Sequence, residues 1–125
     1  METVEDLLDV VRTRFPELAE KTDRMHMQRY MDEEFELNFL WFECLADVLN
    51  AEMAAQVPYE NYAPLFDFLS ARVAEGKVKI LECIDVAIVE NMFFDVSAAD
   101  AKPYWKNLPQ SLKELYVGFH AHPPL

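Results

Sequence analysis

The chain predicts an all-α domain, with about six helices in antiparallel pairs, either stacked in the manner of a helical solenoid or packed as an orthogonal bundle. Three observations carry that expectation. Only two glycines occur in 125 residues, and no Asn-Gly or Asp-Gly dipeptide is present, so the tight turns that hairpin sheets need are missing. Apolar residues make up 52% of the chain, which suits a globular core rather than disorder despite a net charge of −12. Apolar positions recur at helical spacing between proline and capping signals along most of the length. The size fits one domain, residues 1–125, with 120–125 expected as a fraying tail.

Thr3 reads as a helix N-cap with Glu5 and Asp6 in the first turn, and Val4, Leu7, Leu8 and Val11 supply one apolar face to about Arg14. Phe15-Pro16 ends that helix and starts a second, because the residue before proline avoids helical angles while proline itself suits the first helical position. The second helix runs to about Met27 or beyond, with a thin apolar face of Leu18, Ala19 and Met25.

Asp32-Glu33-Glu34 opens the third helix, which continues from Phe35 to about Gln56. Its apolar residues cover well over half the circumference, the mark of a central helix packed on more than one side. Val57-Pro58 breaks it. A fourth helix spans about Tyr59 to Glu75 and stops at Gly76, a C-terminal glycine signal. Lys77 to about Phe94 reads as a fifth. Its β-branched run, Val86 to Val89, also suits a buried strand, but length and the polar spacing Glu82, Asp85, Glu90 favour a helix. Ser97 to Asp100 caps a short segment to Leu108 that Pro103 is expected to break, and Pro109-Gln110-Ser111 starts the last helix. The tight Gly76-Lys77 connection makes the fourth and fifth helices an antiparallel pair, the unit also used by helical solenoids.

Charge is distributed unevenly. From Tyr30 to Ala71 there are nine acids and no base, so −9 of the total −12 comes from the middle third. Such a field repels nucleic acid and anionic membranes and steers basic proteins. Asp32, Glu33, Glu36, Glu43 and Asp47 form the candidate partner-binding face, with Tyr30 and Tyr59 as aromatic anchors. Solvated helix faces usually mix acids with bases at i,i+4, and the third helix contains no base. The remaining tyrosines and Trp105 are read chiefly as core.

Catalytic and metal chemistry find little support. Glu43 and Asp47 lie one turn apart, as in carboxylate metal sites, but the Glu-x-x-His pairs that complete such sites are absent, and Asp23 with His26 has no counterpart. Cys44 and Cys83 lie in apolar segments and read as buried hydrophobes. His120 and His122 read as surface residues of the tail. No glycine-rich phosphate loop occurs. The expectation is therefore a protein with neither enzyme activity, cofactor nor metal. No apolar run approaches the about 18 residues of a membrane span, and the acidic start Met1 to Asp6 is unlike a secretory leader, so a cytoplasmic location is expected. Oligomeric state is left open.

Phe15-Pro16-Glu17-Leu18, the aromatic stretch Phe39-Leu40-Trp41-Phe42-Glu43-Cys44-Leu45-Ala46, Phe66-Asp67-Phe68-Leu69 and Val89-Glu90-Asn91-Met92 together resemble a family of small helical bacterial proteins encoded beside polymorphic toxins and of immunity type. The resemblance spans most of the chain. It implies a HEAT-like helical fold and neutralisation of a cognate toxin by direct binding, and it supplies no catalytic residues; the acidic segment adds the expectation that this toxin is basic. The alternative is a non-enzymatic helical adaptor or scaffold without a toxin partner.

Overall fold

A computed structural model describes residues 1–30 and 37–125. Among them the regular structure is helical: α1 (Val4–Arg14), α2 (Pro16–Tyr30), α3 (Leu37–Ala54), α4 (Ala63–Glu75), α5 (Val78–Glu82), α6 (Ala98–Asn107) and α7 (Gln110–His120), with a 3-10 turn at Tyr59–Asn61 before α4. The all-α class is thus as the sequence implies. The opening of the third helix at Asp32 to Glu34 lies outside the described residues.

Local signals work where expected. Thr3 caps α1 reciprocally: its hydroxyl accepts the Asp6 N–H at 3.0 Å, and the Asp6 carboxylate accepts the Thr3 N–H at 3.1 Å. Gly76 ends α4 at φ 69°, a left-handed conformation that glycine adopts without a Cβ penalty. α3 is the hub. It touches α1, α2, α6 and the helical segment following α5, and it buries Trp41, Phe42, Cys44, Leu45, Ala46, Val48, Leu49 and Met53. A helix apolar on most of its circumference needs neighbours on several sides.

Two expectations are corrected. The fifth helix is not uniform. After α5 the backbone widens into a π-helical stretch, Cys83–Ile88, then tightens into a 3-10 turn, Val89–Asn91, and leaves the helix at Met92. Phe93 and Asp95 then take left-handed angles, φ 68° and 57°, which cost a non-glycine residue about 1–3 kcal/mol each. Asn50 of α3 holds this turn. Its amide donates to the Asn91 carbonyl (2.9 Å) and its oxygen accepts the Phe93 N–H (2.7 Å). The Asn91 amide in turn donates to the Ala87 carbonyl at 2.9 Å, four residues back in the same segment.

Pro103 does not break α6, which runs through it. The hydrogen bond that proline cannot make would have gone to the carbonyl of Ala99, an exposed residue that water can reach.

The distal half is tied by aromatics. Tyr59 stacks on Phe66 with ring centroids 5.4 Å apart, and Tyr104 meets Tyr59 edge-on at 5.5 Å. The Tyr104 hydroxyl donates to the Val57 carbonyl at 2.8 Å, fixing the chain where α3 ends. Ser70 of α4 and Ser111 of α7 join through their hydroxyls at 2.7 Å.

One polar cluster makes a prediction for acid stability. Glu52 at the end of α3 accepts from the Tyr62 hydroxyl (2.7 Å) and the Lys21 ammonium (2.9 Å). Burial pushes its carboxyl up, but the two donors together outweigh burial and hold it below the ordinary value. A lowered carboxyl pKa gives stability that is present above the unfolded pKa, about 4.3, and is lost as pH falls through the folded one. Thermal scans from pH 6 down to pH 3 should therefore show a steeper loss for the native chain than for Glu52→Gln.

Candidate functional site

The sequence-predicted face is assembled at the end of α2 and along α3. Tyr30 closes α2, Glu43 and Asp47 lie one turn apart on α3, and all three are partly exposed. They are close enough for charge to matter: Glu43 and Asp47 both raise the Tyr30 hydroxyl pKa, after burial, which is the larger cause. Asp32, Glu33 and Glu36 lie outside the described residues. Tyr59 is not part of the face. It is 7% exposed and packed between Phe66 and Tyr104, because the 3-10 turn at 59–61 points its ring inward.

The face is also not purely acidic. Arg29 reaches across from α2, and its Nη1 meets Asp47 Oδ2 at 2.5 Å. Lys21 pairs with Glu52 in the same way. The expectation of unmatched charge counted only bases inside the acidic segment, and α2, just before it, supplies two. Such partly exposed pairs contribute about 0–1 kcal/mol each. Arg29 and Lys21 carry no motif of their own. The signal that would have found them is the adjacency of a base-bearing helix to an acid-bearing one.

Glu43 has no ion-pair partner among the described residues, and neither do Glu60 and Asp67 of the same acidic window. Burial, then Asp47, pushes the Glu43 carboxyl above its usual range, against the opposing pull of Arg29. A carboxyl raised in the folded state destabilises the protein above that pKa, and the penalty vanishes below the unfolded value. Glu43→Gln should therefore melt higher than the native chain at pH 7 and at the same temperature near pH 3. Equal midpoints at pH 7 would mean that this carboxylate is comfortably solvated.

Other chemistry is poorly served here. Cys44 is buried below the face and its thiol is pushed up by burial. Cys83 is buried too, and its thiol is pushed up to about 12, so neither is a ready thiolate nucleophile. Asp23, a candidate ligand beside His26, is engaged by both guanidinium nitrogens of Arg12 (2.6 and 3.0 Å) and by the Trp41 indole N–H (2.7 Å). Among the described residues no three His, Cys, Asp or Glu side chains gather as a metal would require. His120 is not a loose tail residue: its ring stacks on Tyr116 at 4.1 Å and its Nε2 meets the Glu90 carbonyl at 3.0 Å.

The arrangement at this face is a polar surface on which Glu43 and Asp47 stand beside the Arg29 guanidinium. No described helix is long and apolar enough to cross a membrane. The chain belongs to the family described as Domain of unknown function (DUF7674), whose model matches residues 8–122. No curated protein and no solved structure matches it.

Proposed function

We propose that this chain is a non-catalytic binding protein that captures a basic protein partner, and that its role is the immunity type: neutralising a cognate toxin by direct contact. Glu43 is the observation that carries the reading. A half-buried carboxylate beside Asp47, with burial and like charge both raising its pKa, is a standing cost to the fold. An incoming Lys or Arg would relieve that cost, and would do so at the centre of the segment that holds −9 of the net charge. Tyr30, next to it, offers an aromatic edge with a polar tip, a combination favoured at interfaces.

The Arg29–Asp47 and Lys21–Glu52 pairs favour a second reading, a helical adaptor without a toxin partner, since they leave a less acidic face than a dedicated toxin inhibitor would use. Co-expression with the proteins encoded on either side of the gene, followed by pull-down, separates the two. Retention of a basic effector domain that is toxic alone and harmless in complex supports the immunity role. Retention of only non-toxic proteins supports the adaptor.

A further inference from the structure

α7 carries its glycine in the wrong place for folding. The helix ends at Ala121, which takes the left-handed conformation, φ 67°, that glycine would accommodate without strain. Gly118 instead sits within the helix, and a Cβ built there meets nothing within 4 Å. Nothing inside the molecule requires a missing side chain at this position, and glycine weakens a helix interior relative to alanine. Its neighbours are apolar yet open to solvent: Val117 is 37% exposed and Phe119 58%. The inner face of the same helix is fully used, with Leu112 and Tyr116 buried.

A groove runs along each side of Gly118. One, of about 420 Å³, is lined by Trp105, Lys113 and Val117; the other, of about 250 Å³, by Asp85, Glu90 and Phe119; Glu114 and Gly118 border both. Asp85, Glu90 and Glu114 have no ion-pair partner among the described residues. The change of helical pitch through Cys83–Ile88 and Val89–Asn91 brings Asp85 and Glu90, five residues apart, to the same groove.

We propose that this outer face of α7 is a second docking surface, for a cationic amphipathic segment of another protein. Its apolar residues cover Val117 and Phe119, its backbone approaches closely over Gly118, and its Lys or Arg side chains enter the groove of Asp85, Glu90 and Glu114. Charge complementarity selects this occupant. A second copy of a chain at −12 would bring like charge to an acidic groove, whereas a cation there gains three carboxylates beside the exposed Phe119. The surface is on a different helix from the Tyr30, Glu43 and Asp47 face and stands or falls independently of it.

The test uses the full chain, a short synthetic helical peptide of leucine and lysine in amphipathic register, and a leucine–glutamate peptide of the same pattern. Backbone amide NMR shifts should concentrate on Glu90, Glu114, Gly118 and Phe119 with the lysine peptide and be absent with the glutamate peptide. Gly118→Leu and Phe119→Ser should each weaken binding by about tenfold or more. Both positions are open to solvent, so the variants should fold, and unchanged spectra elsewhere would confirm it. The proposal is overturned if shifts fall on α2 and α3 instead, if Gly118→Leu binds as the native chain does, if both peptides bind equally, or if the same amides shift with protein concentration alone, which would assign the face to self-association.

Discussion

Asn50→Ala should lower the thermal midpoint by about 10 °C. Asn50 is 7% exposed and is the sole side chain shown bonding the Phe93 N–H and the Asn91 carbonyl. Truncation leaves two inward-facing backbone groups without partners. Each such group costs about 1–3 kcal/mol, and about 1 kcal/mol moves the midpoint of a domain this size by roughly 3–5 °C. The turn it holds also contains the left-handed Phe93 and Asp95, which persist only where surrounding contacts over-determine them. Asn107→Ala is the control. Asn107 is exposed and its amide bonds only the Pro103 carbonyl, so its loss should change stability by no more than about 0.5 kcal/mol. A midpoint for Asn50→Ala within a degree or two of this control would show that Asn50 is not the clamp.

Trp41→Ala should cost about 3–5 kcal/mol, the usual range for removing a buried large aromatic. Trp41 is 1% exposed, meets Phe42 edge-on at 5.0 Å, lies under the Arg12 guanidinium at 5.6 Å and donates to Asp23 at 2.7 Å. It therefore joins α1, α2 and α3 in one contact. Against a typical total stability of about 5–15 kcal/mol, that loss would leave a marginal fold. Trp41→Phe separates packing from hydrogen bonding. It keeps an aromatic ring, while Asp23 retains its two bonds from Arg12, so about 1–2 kcal/mol is expected. Urea unfolding distinguishes the two variants: the midpoint concentration should fall far more for alanine, with the slope unchanged. Equal losses would place the effect in the hydrogen bond rather than in the ring.

Much of the scaffold was legible in the sequence because its signals are local. Thr3 with Asp6, Pro16, and Gly76 act within a turn of where they stand, and the broad apolar surface of α3 follows from its composition. The change of pitch after α5 was not legible, because hydrophobic periodicity over a short run does not separate an α from a π turn. The turn that closes the segment is held by Asn50, more than forty residues from the backbone groups that it bonds. Pro103 was misjudged because its effect is set by whether water reaches the freed carbonyl, a tertiary property. In the candidate site, Tyr30, Glu43 and Asp47 do come together. The Arg29–Asp47 pair and the burial of Tyr59 are long-range facts that charge counting within a segment cannot supply. Gly118 carries no motif in the sequence. Its interest arises from the open space around it and from Ala121, not Gly118, taking the left-handed position.

The measurement that bears most directly on the proposed role is the association rate constant with the basic partner retained by co-expression, taken at low and high salt for the native chain and for Glu43→Lys combined with Glu36→Lys. Asp47 is left in place so that its pair with Arg29 survives. An acidic face that steers its partner predicts a rate that falls steeply with salt in the native chain, drops about tenfold or more in the variant at low salt, and converges at high salt where charges are screened. Native and variant rates that agree at every salt concentration would contradict it.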